Sequence, residues 1–380
     1  MSAGPLIRGW CPGAYRPMMS GDGLVVRVRP RRARLTAAQA RGLCELALAE
    51  GNGFVDLTNR ANLQIRGVTP QGHARLLTGL NALDLIDADP ALEHRRNILT
   101  TPFWCAGDLT DRLGAAVLRV LDALPALPAK VGIAIDTGPA PILSDDPADF
   151  RLERSAAGLI LRADGMSLGR AVTEATAPAA LIEMARWFER HRDDQSRRMA
   201  RVVARHKLPE GWATTAPRPP QPVPAPGATP AGALLGAPFG QIDARDLRDM
   251  LDRTGAAALR VTPWRLFLLE GVAMPQSDRF ITAPGDPLLA VDACPGAPFC
   301  PQASVETRAL ARKLAPHVTG SLHVSGCAKG CARRHAAQTT LTGRDGAYDL
   351  VERGGPADPP ARVGLTAETL LAEAQATDAP

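Results

Sequence analysis

The sequence predicts an α+β protein built from two similar halves related by a pseudo-twofold axis, with mixed and antiparallel sheets flanked by helices. Two observations predict this fold. Residues 51–68 and 255–272 align without a gap, and each copy follows a helical pattern and then has the pattern of strand, turn and strand. A proline-rich segment, 213–233, separates the copies. Since a repeated unit cannot bury its apolar face alone, the halves are expected to pack against each other.

The two copies share individual residues as well as a pattern. Four identities are Gly51, Thr58, Gly67 and Val68, which recur as Gly255, Thr262, Gly271 and Val272. The helices before the copies are expected over 35–49 and 242–253, with Cys44 as a small buried hydrophobe in the first. At the turn, Arg60 of the first copy corresponds to Trp264 of the second.

Other segments extend the repeat or stand outside it. Residues 161–169 and 342–351 both have the pattern of strand, Asp-Gly turn and strand, and are expected to correspond. Residues 130–136 and 321–327 are both apolar strands that enter loops. An amphipathic helix is expected over 178–206, with mixed charges on its solvent face.

The repeat divides the chain. At 380 residues the chain is too long for one ordinary core. We expect a first half over 1–212, a linker over 213–233 and a second half over 234–380. The linker contains seven prolines, a composition typical of an extended tether.

Composition bears on several functional classes. The net charge is +5, but aromatic residues are only 4%, so the basic residues are not interleaved with aromatics as nucleic-acid binding requires. No window approaches eighteen apolar residues, so no membrane span is expected. Arg8, Arg16 and Asp22 break the short apolar runs at the start, and without a signal peptide a cytoplasmic location is expected. The sequence contains no G-x-G-x-x-G motif, so a nicotinamide-binding unit is not expected.

Four cysteines form the most specific pattern, C-x5-C followed after a gap by C-x3-C; they are Cys294, Cys300, Cys327 and Cys331. Two close pairs of thiols are compatible with disulfides, zinc or an iron–sulfur cluster. Disulfides require an oxidising compartment, and structural zinc sites favour shorter spacers. The pattern favours a [4Fe–4S] cluster bound by all four cysteines. A zinc site and unligated core thiols are the alternatives. No role is assigned to Cys11 or Cys105.

Together, the duplicated unit, the cysteine pattern and the loop LTNRANLQIRG resemble the sulfite and nitrite reductase superfamily over nearly the whole chain. The resemblance implies that Arg60 binds carboxylates of a tetrapyrrole. It implies that Arg96 and Asn97, in EHRRNILTTP, form a second anion-binding stretch. It also implies that Lys130, in LPAKVGIAID, is the active-site lysine, with a catalytic and a substrate-binding role.

The sequence departs from the reductases at Gly132, where they carry a second lysine. The opening stretch RGWCPGAYRPMMSGDGLVVRVRP, with ACPGAPFCPQA and HVSGCAKGCA, is similar instead to the tetrapyrrole hydroxylases of the aerobic cobalamin pathway. That resemblance implies that dioxygen hydroxylates precorrin-3A, that a ring acetate then closes a lactone, and that the tetrapyrrole is the substrate. It also implies a mononuclear non-haem iron beside the cluster. Electrons would come ultimately from NADH, through a separate reductase or ferredoxin.

Ligands of the mononuclear iron are not assigned. Such an iron commonly uses two histidines and a carboxylate, and His94 and His323 lie nearest the proposed site in sequence. Two alternatives remain open for the chain as a whole. One is a sirohaem-dependent reductase of nitrite or sulfite, and the other is a non-catalytic protein that binds a cluster or zinc.

Overall fold

The computed structural model describes residues 12–333 and 335–377. Within these residues the strands form four five-stranded sheets, which we number I to IV. In hydrogen-bonded order, sheet I contains β1 (Met18–Ser20), β2 (Gly23–Val28), β5 (Leu63–Val68), β4 (Phe54–Leu57) and β13 (Gln241–Asp243). Sheet II contains β11 (Gly227–Thr229), β12 (Gly232–Gly236), β15 (Leu266–Glu270), β14 (Ala258–Val261) and β3 (Arg34–Thr36).

Sheets III and IV repeat a second topology. Sheet III contains β10 (Arg170–Val172), β9 (Leu159–Ala163), β8 (Phe150–Arg154), β7 (Ile133–Asp136) and β6 (Ile98–Thr100). Sheet IV contains β16 (Val291–Ala293), β17 (Leu322–Ser325), β18 (Ala337–Arg344), β19 (Ala347–Gly354) and β20 (Arg362–Leu365). The first three strands of each, in chain order, are parallel and the remaining pairs are antiparallel.

The helices flank these sheets. They are α1 (Ala37–Glu50), α2 (Pro70–Ala82), α3 (Pro90–Arg95), α4 (Leu109–Arg119), α5 (Ala177–His191), α6 (Met199–Val203), α7 (Ala244–Thr254), α8 (Arg308–Leu314) and α9 (Ala367–Thr377). None of the helices in the described part of the chain is both long and apolar enough to cross a membrane.

The predicted duplication is confirmed, and the halves exchange strands. In sheet I the edge position beside β4 is taken by β13, from the second half. In sheet II the equivalent position beside β14 is taken by β3, from the first half. The helices that follow these strands, α1 and α7, enter one shared apolar core with the buried faces of both sheets, including Cys44 in α1. The halves therefore interlock.

The aligned turns have the same local structure. In the first half the amide of Arg60 donates to Thr58 Oγ1 at 3.3 Å, and in the second the amide of Trp264 donates to Thr262 Oγ1 at 3.3 Å. The residue after each takes a left-handed conformation, with φ of 51° at Ala61 and 62° at Arg265. The threonine hydroxyl thus fixes the same turn twice.

One proposed correspondence is wrong by one strand. Residues 161–169 run from β9 to the residue before β10, whereas residues 342–351 run from β18 into β19. In the repeated topology β9 occupies the place of β19. An Asp-Gly turn reports local turn chemistry and says nothing about position in a sheet. The pairing of 130–136 with 321–327 is confirmed, because β7 and β17 occupy equivalent places.

The helix expected over 178–206 is two helices, α5 and α6. Asp193 accepts the amides of Gln195 and Ser196 at 2.9 and 2.6 Å, which replaces helical hydrogen bonds by a turn. The amide that begins α6, at Met199, donates to buried Asp149 at 2.9 Å. Tertiary contact therefore outweighs helical periodicity here.

The proline-rich segment is tied to the first half before it enters the second. Thr215 forms an isolated bridge with Gly169, and Arg218 donates to the Pro139 carbonyl at 2.8 Å. The segment 213–233 also includes β11 and the beginning of β12. The division of the chain into 1–212, 213–233 and 234–380 remains a proposal, and by equivalence with β1 the second half begins near residue 227.

Candidate cysteine centre and arginine-rich face

The strands of sheet IV place two of the four cysteines side by side. Cys294 directly follows β16, and Cys327 follows β17 after one glycine. The two strands are parallel neighbours, with Ala293 opposite Val324. Because their carboxyl ends meet at one edge of the sheet, the loops carrying Cys294–Cys300 and Cys327–Cys331 start from the same point.

The thiols interact with one another. The Gly326 amide donates to Cys294 Sγ at 3.2 Å. Burial raises the pKa of the Cys327 thiol, and neighbouring Cys300 and Cys294 raise it further. Burial likewise raises the pKa of Cys331, which is also influenced by the other three thiols. The six cysteines in the described residues are all free, so no disulfide competes for them.

The donor set fits an object larger than one ion. Zinc holds thiolates at about 2.3 Å, yet among the described residues no three His, Cys, Asp or Glu side chains are gathered closely enough for one metal ion. Glycines let the loops approach closely: a Cβ at Gly326 would lie 2.5 Å from Ala303, and Gly296 has a φ of 68°. Four neighbouring thiols with amides among them suit an iron–sulfur cluster.

Ion pairs hold the second cysteine loop to the sheet. Arg333, two residues after Cys331, contacts Asp292 of β16 at 2.8 Å. Arg265, from the turn of the second repeat, contacts the other oxygen of the same carboxylate at 3.0 Å. Asp292 therefore joins the cysteine loop to the repeated unit.

The first cysteine loop lies against the first half. The carbonyl of Phe299 accepts three hydrogen bonds: from the Gly21 amide at 3.2 Å, from Ser20 Oγ at 2.9 Å and from Arg66 Nη2 at 3.0 Å. A Cβ at Gly21 would lie 2.7 Å from the Pro298 carbonyl. The hairpin between β1 and β2 thus positions the loop that carries Cys300.

Arg66 belongs to a polar face of sheet I that sequence reasoning missed. The face, which we call the arginine-rich face, comprises Arg27, Gln64, Arg66 and Asp56 on β2, β5 and β4, with Arg29 just after β2. Their apolar neighbours Val26, Val28 and Ile65 point into the core. The alternation V-R-V-R at 26–29 and L-Q-I-R at 63–66 could have revealed this face in the sequence, because successive residues of a strand face opposite sides of the sheet.

The structure brings together Arg60, Asn97 and the segment that carries Lys130. Arg60 is 6% exposed, and a Cβ built on Gly132 would lie 3.5 Å from its Nη1 and 3.3 Å from the Asn97 carbonyl. The Asn97 amide donates to the Ala129 carbonyl at 3.0 Å. Lys130 lies exposed on the turn before β7.

Arg96 has internal partners. Its Nη2 contacts Glu93 at 2.5 Å and its Nη1 contacts Asp87 at 3.3 Å. Arg29 contacts the other oxygen of Glu93 at 3.2 Å and donates to Asn97 Oδ1, also at 3.2 Å. Only 2% of the Arg96 side chain is exposed. Burial lowers the pKa of Arg96 and raises that of Glu93, while the opposite charges counteract both shifts.

The two histidines nearest the site differ in their surroundings. His94 is half-buried in α3, and burial, with Arg29 next, lowers its pKa. His323 is completely buried in β17, and burial lowers its pKa to about 4. Neither lies in a group of three potential metal ligands among the described residues.

Comparison with known proteins identifies a matching family and similar chains. Residues 16–83 match the nitrite/sulfite reductase ferredoxin-like half domain. The chain is 29% identical over 386 residues to a precorrin-3B synthase of Sinorhizobium sp, across 91% of this chain and 83% of that protein. It is 25% identical over 387 residues to a chloroplastic ferredoxin–nitrite reductase of Zea mays, across 81% of this chain and 67% of that protein.

Among solved structures, the Mycobacterium tuberculosis NirA protein has the same fold. The TM-score is 0.61 at 18% identity, covering 92% of this chain and 79% of that one. The resemblance inferred from the sequence is therefore confirmed: residues 16–83 match the nitrite/sulfite reductase ferredoxin-like half domain, and most of the chain is similar to a precorrin-3B synthase.

Proposed function

We propose that this protein is a precorrin-3B synthase, which uses dioxygen to hydroxylate precorrin-3A and then closes a lactone from a ring acetate. The observation that carries the proposal is the meeting of the four-cysteine edge of sheet IV with the arginine-rich face of sheet I, through Arg66 and the Phe299 carbonyl. The similar proteins are a synthase and a reductase, which supports an enzymatic role.

The four cysteines are proposed to bind a [4Fe–4S] cluster. Cys294 and Cys327 would bind it from the ends of β16 and β17, and Cys300 and Cys331 from the loops. When bound, the cluster would supply single electrons to the site. The chain's own part is to keep the thiols close and partly buried, which the Asp292 ion pairs and the Phe299 carbonyl contacts do.

A mononuclear iron fits the described residues poorly. No group of three His, Cys, Asp or Glu side chains there is arranged to hold one, and the rings of His94 and His323 lie in α3 and β17 without such partners. The described residues therefore do not fit the mononuclear iron that the resemblance implies.

Substrate binding is assigned to the first half. Precorrin-3A carries many carboxylates, and guanidinium groups bind carboxylates with paired hydrogen bonds. Arg60 is proposed to contact one of them, with Asn97 shaping the same wall. Lys130, exposed beside them, is the proposed catalytic residue, because its ammonium can donate a proton or hold an anion at the reacting ring. Arg96 is proposed to position Asn97 indirectly, because its guanidinium contacts Glu93, Glu93 contacts Arg29, and Arg29 donates to Asn97.

Gly132 favours this function over a sirohaem reductase. A Cβ there would lie 3.3 Å from the Asn97 carbonyl and 3.4 Å from that of Pro147. A lysine at this position would also bring a second cation beside Arg60. The likeness to a ferredoxin–nitrite reductase keeps the reductase as the alternative. Electrons are proposed to arrive from NADH through a separate reductase or ferredoxin.

The test is turnover of precorrin-3A by anaerobically purified protein, reduced with dithionite and then given oxygen. Hydroxylated lactone supports the proposal; a strong sirohaem absorption band with nitrite or sulfite turnover supports the reductase instead. Arg60→Ala should weaken precorrin-3A binding by about tenfold to over a hundredfold, since a hydrogen-bonded charged contact is worth about 1.5–3 kcal/mol. The cluster spectrum should not change.

Arg119→Ala is the matched control, because Arg119 is an exposed arginine at the end of α4. Arg60→Lys should recover only part of the affinity, since an ammonium cannot form the two-pronged contact. Wild-type affinity of Arg60→Ala at both low and high salt would show that the tetrapyrrole binds elsewhere.

A further inference from the structure

A cavity of about 590 Å³ opens at the carboxyl ends of β6 and β7. Thr101 and Thr137, which follow the two strands, line it. Asn97 and Gly132 precede the same strands, so the proposed tetrapyrrole site lies at the opposite edge of sheet III. The remaining walls are the loop before α4, its first turn and part of the segment 218–224.

The place of the cavity in the fold is informative. In sheet IV the unit β16–α8–β17 carries the cysteine loops at the carboxyl ends of its strands, and in sheet III the equivalent unit is β6–α4–β7. Ligands of open sheets with parallel strands bind outside the carboxyl ends. The cavity is thus the first half's equivalent of the cysteine centre.

Two arginines give the cavity its charge. Arg154 donates Nε to the Thr137 carbonyl at 2.7 Å. Arg218 donates Nε to the Ser155 carbonyl at 3.2 Å and Nη1 to the Pro139 carbonyl at 2.8 Å. Neither forms an ion pair with an acidic side chain in the part of the chain described. Each guanidinium therefore still has Nη donors for a ligand.

The carboxylate in the wall does not neutralise these arginines. Asp108 caps α4, and its two oxygens accept the amides of Asp111 and Cys105 at 2.8 and 2.7 Å. The amino end of α4 adds further positive potential. The indole of Trp104 also lines the cavity, and although its side chain is almost wholly buried, its Nε1 has no hydrogen-bond partner among the described residues.

The rest of the wall is mainly apolar, with Phe103, Leu109, Ile142 and Pro222 among its residues, and Thr110 and Gln221 add two polar side chains. Small-molecule sites combine such walls with a few polar groups in volumes of about 300–1,000 Å³. We propose that this cavity binds a small cyclic or aromatic carboxylate, with Arg154 and Arg218 contacting its carboxylate groups and the apolar wall contacting its ring. This inference is independent of the proposed function.

The test is isothermal titration of the full-length protein with phthalate, with neutral benzamide and inorganic phosphate as comparison probes. We expect phthalate to bind and benzamide not to bind at the same concentrations. Arg154→Gln and Arg218→Gln should each weaken phthalate binding at least tenfold. Arg186→Gln, which removes an exposed arginine of α5 from the same half, should leave it unchanged.

Arg218→Lys separates loss of binding from misfolding, because it keeps the charge and should restore part of the affinity. Three results would overturn the inference: no phthalate binding by the wild type, equal weakening by Arg186→Gln, or phosphate binding as tight as phthalate binding. The last would indicate a bare anion site without the apolar contact.

Discussion

Removing Arg66 should destabilise both the protein and its first cysteine loop. The guanidinium contacts both oxygens of Asp22, at 3.1 and 2.9 Å, as well as the Phe299 carbonyl. The side chains of Arg66 and Asp22 are each 9% exposed. Loss of one partner of such a pair leaves a poorly hydrated charge and costs about 3–5 kcal/mol. Arg66→Met should lower the free energy of unfolding by that order.

A double-mutant cycle isolates the pair. Asp22→Asn alone leaves Arg66 only the more distant carboxylate of Asp56, 3.9 Å from its Nε. The double variant with Arg66→Met removes the guanidinium as well, and Asp56 keeps its pair with Arg308. The double variant should therefore lose less stability than the sum of the two single variants, by about 1–3 kcal/mol. Urea denaturation gives the unfolding free energies. Additive losses, within about 0.5 kcal/mol, would refute the account of this contact.

The same variant tests the connection to the cysteine loop. The Phe299 carbonyl would keep its bonds from Gly21 and Ser20 but lose the charged donor, so chelators should remove iron from Arg66→Met faster than from the wild type. Arg75→Met is the control, because it breaks an exposed pair with Glu50 on the other side of sheet I, with the Arg75 side chain 65% exposed. Equal iron release from all three proteins would separate Arg66 from the cysteine centre.

Three further predictions concern other parts of the chain. Cys300→Ser should lose bound iron, since an open cluster corner is readily oxidised, while Cys44→Ala should keep it; full iron and sulfide content in Cys300→Ser would contradict the ligand assignment. Burial raises the pKa of Asp146 to about 6, and its Oδ2 accepts the Trp264 Nε1–H at 2.9 Å. The Asp146 carboxyl ionises near pH 3.8 in the unfolded chain and near pH 6 in the folded protein, so the free energy of unfolding falls as pH rises through that window. Asp146→Asn removes this loss and should therefore stabilise the protein more at pH 8 than at pH 4, by on the order of 2–3 kcal/mol. Equal effects in urea melts at the two pH values would disprove this. A protease site inserted after exposed Val223 should permit cleavage without separation on a sizing column, because β3 and β13 interlock the halves; separation without denaturant would argue against the shared core.

Local patterns were enough to predict the duplicated architecture. The hydroxyls of Thr58 and Thr262 each accept a hydrogen bond from the amide two residues further along the chain, and this contact lies within a single turn. Both turns could therefore be recognised in the sequence without tertiary context. The C-x5-C and C-x3-C spacings were likewise local, and they indicated a shared ligand set before the loops were seen to start from neighbouring strands.

What depends on contacts between distant residues was decided only by the tertiary structure. A sequence cannot show which strand fills a sheet edge, so the exchange of β3 and β13 was invisible. The buried position of Arg96 depends on its ion pairs with Glu93 and Asp87, and these pairs form only in the folded chain. An Asp-Gly turn can connect any two antiparallel strands, and residues 161–169 were therefore matched to the wrong hairpin. Hydrogen bonds within a turn depend on residues that are adjacent in sequence. Strand pairing and the burial of charged side chains depend on contacts between segments that are distant in sequence.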